Sequence, residues 1–307
     1  MKRLAAGFGL LVVTALPAHA ASFDCAKART PVEKAICAAP ALSAADEALS
    51  HVYGQLLIVN GDNQNLAEEE KTWLKQRDAT PAADLLALHQ ERVAELNKRL
   101  ADATKPIDHA GLANACVPIP AAPKDVQCKV DGFGKLADDA AMSWQLQIYG
   151  DPDNLPQRAS VVVAQVDGQP GKDSLVAALY TEDGFVDQPA GINNGFGRFL
   201  ELSATADGTG HFNQGVLLVS TPEGWRSVDT TSWQNAFAKR LKGGLYAAKG
   251  IFPKFTQMTA ETPLWKGDDP NCCPTGGYAR IKLGYKNQRI TFEDVKVTLG
   301  EKAAGGE

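Results

Sequence analysis

The sequence predicts an α+β fold in which a small N-terminal antiparallel helical bundle is followed by a β-rich, mainly antiparallel domain. From Thr30 to about Leu100, apolar residues recur three and four positions apart, which is the period of an amphipathic helix. Beyond about residue 124, short runs rich in β-branched and aromatic residues alternate with turn clusters such as Asp167-Gly168. Helices and strands that are segregated in this way indicate an α+β chain.

Four helices are predicted in the N-terminal segment. The first begins at a capping box with proline at the first helical position, Thr30-Pro31-Val32-Glu33, and it is short because Pro40 follows closely. The second and third are predicted to begin at Ser43 and Leu66, and the fourth to end near Leu100. Each helix has a single apolar stripe, so we expect the four to pack as an antiparallel bundle.

The domain boundary is predicted where the composition changes. Residues 103–123 are rich in proline and are interpreted as a linker between a helical domain at 21–102 and a β-rich domain at 124–300. One helix is predicted near residues 232–241, and residues 301–307 are predicted to be a disordered tail. The predicted strands cover residues 143–149, 160–166, 174–180, 199–205, 215–220, 278–285 and 290–297.

The first twenty residues have the layout of a secretory signal peptide. Lys2 and Arg3 precede a mostly apolar run that is too short to span a bilayer, and Ala18-His19-Ala20 is a typical cleavage signature. We therefore expect a periplasmic or secreted protein that is cleaved near Ala20 and is not embedded in a membrane.

The charge of the chain bears on its partners. Loss of Lys2 and Arg3 takes the formal net charge from −5 to −7, and no basic run is long enough to follow a phosphate backbone. Nucleic acid is therefore not an expected partner. An acidic surface favours encounter with a basic protein.

A cysteine-containing run opens the helical segment, FDCAKARTPVEKAIC at residues 23–37, and a second element, WLKQRD, lies at residues 73–78. Between them come Pro40, Leu42, Asp46, Leu49 and Tyr53. This ordered combination resembles the N-terminal domain of the lysozyme-inhibitor LprI family over about residues 22–100, a quarter of the chain. Many members carry another Cys shortly after the Trp-Leu-x-x-Arg element, where this chain has Ala79 and Thr80.

The resemblance implies a periplasmic or surface protein, and the namesake of the family inhibits lysozyme. The motif residues are interpreted as framework, with Glu33 in the cap, Tyr53 and Trp73 in the core, and Arg77 stacked on the indole of Trp73 or paired with a helix carboxylate. The framework residues are Thr30, Glu33, Ile36, Asp46, Tyr53, Trp73 and Arg77.

The six cysteines are interpreted as structural disulfides, because an even count in an exported chain favours oxidation. We expect Cys25 to pair with Cys37. The adjacent Cys272 and Cys273 either bridge each other or reach Cys116 and Cys128 separately, and we favour the second arrangement because a bridge between neighbours strains the backbone. A four-cysteine zinc site is the weaker alternative, since adjacent ligands suit tetrahedral geometry poorly.

No residue is predicted to be catalytic or to bind a cofactor or metal, because the nucleophile, metal and phosphate motifs are missing from the sequence. We therefore expect a binding protein that inhibits lysozyme or another peptidoglycan-degrading enzyme by occluding its cleft. One alternative is an envelope or ligand-binding module with no connection to lysozyme, which a concave apolar pocket or a large exposed patch would favour. The other is a hydrolase with its site in the β-rich domain, which a deep pocket with converging acids, histidines or a bound metal would favour.

Overall fold

The structure is a computed structural model that describes residues 21–61, 64–150, 156–206 and 213–299. The predicted signal peptide and the predicted tail at 301–307 lie outside the described residues.

The four predicted helices are confirmed. They are α1 (Pro31–Ala38), α2 (Pro40–Asn60), α3 (Gln64–Ala79) and α4 (Leu85–Ala103). A short 3₁₀ turn, Cys25–Lys27, precedes them. The second helix begins at Pro40 and not at Ser43, because proline needs no amide partner in the first turn of a helix.

The β-rich segment is antiparallel throughout its named sheets, as predicted. Each of the seven predicted strands overlaps an observed one, and the predicted helix is α5 (Trp233–Ala238). The strands are β1 (Ile107–Asp108), β2 (Cys128–Leu136), β3 (Asp139–Tyr149), β4 (Gln157–Gln165), β5 (Lys172–Thr181), β6 (Phe185–Val186), β7 (Ala190–Asn194), β8 (Gly197–Thr205), β9 (Asn213–Thr221), β10 (Gly224–Ser227), β11 (Leu245–Tyr246), β12 (Phe252–Lys254), β13 (Thr259–Pro263), β14 (Trp265–Lys266), β15 (Tyr278–Lys286) and β16 (Arg289–Thr298).

Three larger sheets and one strand pair organise these strands. The first sheet has the order β1-β5-β4-β3-β2, and the second has the order β10-β9-β8-β6 with β7 also paired to β8. The third has the order β12-β13-β15-β16, and β11 pairs with β14. The segment predicted as a linker contains β1, which adds a short edge strand to the first sheet.

The chain divides into two compact units, one comprising Met1–His51 with Thr72–Glu95 and the other Val52–Lys71 with Leu96–Glu307. In the first unit the core is built around Ile36, Leu42 and Leu85. We retain the boundary at residues 103–123 as a proposal about domain organisation.

The second unit has two apolar clusters, one on each face of strand β8. Alternate residues of a strand point to opposite faces, so Leu200 and Leu202 join the cluster shared with the first sheet. Phe199 lies on the other face, in a cluster with Phe237 of α5 and with Ile281 of the third sheet. The second sheet is therefore covered by apolar residues on both faces. Polar side chains of β8 must then lie beside one of these clusters, and one of them belongs to the site described below.

The favoured cysteine pairing is wrong. Cys116 pairs with Cys128, 12 residues away, and Cys272 pairs with Cys273. Buried glutamines of β3 explain the first bridge: the Gln145 side-chain amide donates to the Ala115 carbonyl at 3.0 Å and its oxygen accepts from the Val117 amide at 2.9 Å. These contacts hold the segment that carries Cys116 beside the start of β2.

Candidate functional site

The first candidate site is the helical segment, which begins at a disulfide and a capping box. Cys25 pairs with Cys37, as expected, and so joins the entry turn to α1. The Glu33 amide donates to the Thr30 hydroxyl at 3.1 Å, and the Glu33 carboxylate accepts from the Thr30 amide at 2.9 Å. Hydrogen bonds from the Thr30 and Arg29 amides hold the pKa of Glu33 below its ordinary value.

Asp46 lies at the centre of a buried polar group. Its Oδ2 accepts hydrogen bonds from the amide and the hydroxyl of Ser22, at 2.9 and 2.7 Å. Its Oδ1 lies 3.7 Å from Nε2 of His89. Burial alone would raise the pKa of Asp46, but the facing His89 and the Ser22 hydrogen bonds lower it.

His89 completes this group, and no motif in the sequence singles it out. It is 0% exposed, its Nδ1 lies 2.7 Å from the Leu85 carbonyl oxygen, and its ring meets the Trp73 indole edge to face at 5.2 Å. The short Nδ1 contact to a carbonyl requires a hydrogen on Nδ1, which leaves Nε2 facing Asp46. The core position predicted for Trp73 is confirmed at 8% exposure.

The remaining motif residues differ in their burial and contacts. Ile36 is fully buried, whereas Tyr53 is only partly buried and so lies at the edge of the core. Arg77 pairs with the Asp78 carboxylate through Nε at 3.0 Å and Nη2 at 2.8 Å, which is the second of the two interactions expected for it. We therefore retain the interpretation of the motif residues as framework as a proposal.

Residues 25–105 match the family model described as Lysozyme inhibitor LprI. This segment is an LprI domain. It covers about a quarter of the 307-residue chain. No curated protein and no solved structure matches the chain. Among the described residues, no helix is long and apolar enough to span a membrane.

The second candidate site lies outside the LprI domain, in a cavity of about 470 Å³. It is formed by β8 and β9 with residues around α5 and β12, and it has both carboxylates and aromatic rings in its wall. The side chains that give it its chemistry are Asp187, Glu201, Ser203, Gln234, Phe252 and Phe255.

Glu201 is the unusual residue of this cavity. It lies on the same face of β8 as the buried Phe199, two residues away, so its carboxylate borders an apolar cluster. Burial, assisted by the nearby negative charge of Asp187, raises the pKa of Glu201 to about 7. Within the part of the chain that the structure describes, its carboxylate has no hydrogen bond and no ion pair.

The charged side chains in the cavity wall, among the described residues, are all acidic. Asp187 accepts a hydrogen bond from the Ser203 hydroxyl at 2.8 Å, and no Lys, Arg or His is among the described lining residues. Elsewhere too, the described residues contain no group of three or more His, Cys, Asp or Glu side chains that could hold a metal. The cavity is thus an acidic pocket with aromatic walls, and no local sequence motif predicts it.

Proposed function

We propose that this protein is an exported, non-enzymatic inhibitor of lysozyme or of another peptidoglycan-degrading enzyme, and that the LprI domain carries the inhibition. The observation that carries the proposal is the family match over residues 25–105. The order of the motif elements and the packing of Trp73 and Asp46 in the core agree with it.

Export with cleavage after Ala20 is part of the proposal. Ala21 is 8% exposed and belongs to the core of the first unit, and Ser22 is held by Asp46 through two hydrogen bonds. A cut further along the chain would remove these contacts, whereas a cut after Ala20 keeps them. The mass of the protein recovered from the cell envelope or the medium tests this, and we expect a chain that begins at Ala21.

The proposed mechanism is occlusion of the glycan cleft of the target. Because we interpret the motif residues as framework, the contact residues are expected among exposed positions outside the motif. The c-type lysozymes are basic, so the mature charge of −7 favours rapid association.

A turbidity assay on the mature chain, residues 21–307, tests the proposal against c-type and g-type lysozymes. We expect dose-dependent inhibition of one class that saturates near one inhibitor per enzyme. Absence of inhibition of both classes at micromolar concentration would refute the lysozyme proposal. The whole mature chain is used because the end of α2 packs in the second unit, where Ile58 is 2% exposed.

A matched pair of charge variants locates the contact. Glu91 in α4 and Glu223 in a turn of the second unit are both exposed, and neither carboxylate pairs with another described residue. Glu91→Lys and Glu223→Lys change the net charge equally. We expect Glu91→Lys to weaken inhibition of a basic lysozyme roughly threefold or more and Glu223→Lys to change it less. Equal effects of the two would count against contact through this face of the LprI domain.

Ligand binding in the cavity is the second candidate function, favoured by two carboxylates that face no basic side chain among the described lining residues. Two carboxylates beside aromatic rings are suited to a small organic ammonium ion. The carboxylates can pair with its charge, and the rings can pack against it. Calorimetry with cadaverine should then show tighter binding at pH 8 than at pH 6, where Glu201 is largely protonated. Glu201→Gln should abolish this pH dependence, whereas Glu182→Gln on an exposed loop should retain it. Absence of binding at both pH values would rule out this candidate function.

A further inference from the structure

The bridge between Cys272 and Cys273 has no place in either function above. It lies in the loop between β14 and β15, and both residues are exposed to solvent. A thiolate from a second molecule must reach one sulfur in line with the bond, so exposure is the first requirement for exchange.

The loop around this bridge is held by contacts that do not involve sulfur. The Asp269 carboxylate accepts hydrogen bonds from the Lys266 amide at 2.9 Å and from the Thr275 amide at 2.7 Å, and so joins the two ends of the loop. The Thr275 hydroxyl adds a third bond at 2.7 Å. These bonds hold the pKa of Asp269 below its ordinary value, so the carboxylate stays ionised at neutral pH.

The middle and the exit of the loop are also fixed. The Pro270 carbonyl accepts from the Trp265 indole at 3.2 Å and from the Cys273 amide at 3.0 Å. The Gly276 amide donates to the Leu264 carbonyl and the Leu264 amide donates to Gly277, both at 2.8 Å. We therefore expect the loop to keep its conformation when the disulfide is reduced, because these hydrogen bonds remain.

The three disulfides differ in how strongly folding supports them. A cross-link stabilises a fold by restricting the unfolded chain, and the fold stabilises the cross-link to the same extent. The Cys25–Cys37 and Cys116–Cys128 bridges each span 12 residues, whereas Cys272 and Cys273 are adjacent and close no loop. Folding therefore protects the first two bridges from reduction more than it protects the third.

We propose that Cys272–Cys273 is a reversible thiol–disulfide exchange site that accepts two electrons and two protons from a dithiol. In the first step a donor thiolate attacks one sulfur, which forms a mixed disulfide and releases the other cysteine as a thiol after it takes up a proton. The second donor thiol then resolves the mixed disulfide. The donor leaves as a disulfide, and both cysteines of the protein are left as thiols.

Graded reduction of the mature chain tests the site. The protein is equilibrated at pH 7 over a series of ratios of reduced to oxidised dithiothreitol, quenched with acid, alkylated and mapped by mass spectrometry. We expect Cys272 and Cys273 to become alkylated together at a ratio at least tenfold lower than the other four cysteines. The far-ultraviolet circular dichroism and the thermal midpoint should not change in this first step.

Two further measurements separate the outcomes. Phenylarsine oxide, which joins two neighbouring thiols with loss of water, should label the partly reduced chain but not the Cys272→Ser/Cys273→Ser variant. A parallel series with reduced thioredoxin distinguishes a protein donor from a small one, and reduction by either donor ahead of the other two bridges supports the site. Reduction only together with or after those bridges, or a loss of structure in the first step, would overturn the proposal.

Discussion

Replacing Glu201 with Gln is expected to stabilise the protein at pH 8 and to leave its stability nearly unchanged at pH 4. Glutamine has almost the shape of the protonated carboxylic acid but cannot ionise. At pH 8 the wild-type side chain must carry a charge beside the apolar cluster that contains Phe199 and close to Asp187. At pH 4 it is neutral in the folded protein, so the substitution removes no charge.

The magnitude follows from the shift in pKa. The pKa of Glu201 is raised from 4.5 to about 7 in the folded protein. The folded state therefore holds the proton more tightly than the unfolded chain, and stability falls as the pH rises from about 4.5 through 7. At about 1.4 kcal/mol per pKa unit, ionisation of Glu201 costs up to about 3 kcal/mol above pH 7, and Glu201→Gln should recover most of it.

Urea unfolding of the mature chain at pH 4 and pH 8 measures this effect. Glu182→Gln is the matched control, because this exposed carboxylate allows the same substitution outside the cavity. We expect a higher unfolding midpoint for Glu201→Gln at pH 8 only, and a change within about 0.5 kcal/mol for the control at both pH values. Equal stabilisation at both pH values, or none at pH 8, would show that burial and Asp187 do not destabilise the charged form.

Three further changes test the LprI domain, each by chemical or thermal unfolding. Asp46→Asn should cost about 1–3 kcal/mol at pH 7 because the Ser22 hydrogen bonds lose their charged acceptor, and since the pKa of Asp46 is lowered on folding, this difference should disappear as the pH falls through that lowered pKa. Thr30→Ala should cost about 1 kcal/mol through loss of the cap, with Thr30→Ser as the variant that retains it. Serine at both Cys25 and Cys37 should cost about 3 kcal/mol, and a cost below about 1 kcal/mol would show that the bridge barely restricts the unfolded chain.

The parts of the structure that the sequence predicts are those specified by nearby residues. The capping box at Thr30 and Glu33 is complete within four positions, and the structure contains it as predicted. The strands of the β-rich segment follow from alternation, which depends only on the geometry of the extended chain. Short strands such as β1 were missed, because two residues carry no alternation and their pairing depends on a distant partner.

The cysteine pairing and the cavity could not be predicted, since both depend on residues far apart in the chain. Cys116 is placed by hydrogen bonds from Gln145, a polar residue that alternation would put at the surface of a strand but that is 2% exposed. Alternation likewise predicts that Glu201, between Leu200 and Leu202, is an ordinary residue on the solvent-facing side of its strand. Its neighbours in the cavity, among them Asp187 and Phe255, come from separate elements.

The end of helix α2 packs against residues that lie outside the LprI domain. Ile58 packs in the cluster between the first and second sheets, and the side-chain amide of Gln55 donates to the Trp225 carbonyl at 2.7 Å. Gly61, at a φ of 88°, accepts from the Tyr180 amide at 2.9 Å, and a Cβ there would lie 3.3 Å from the Cβ of Tyr180. A fragment that ends near residue 105 would expose these groups to water. Loss of inhibition in such a fragment would therefore report loss of folding support, so surface substitutions in the whole mature chain are the decisive test of where lysozyme binds.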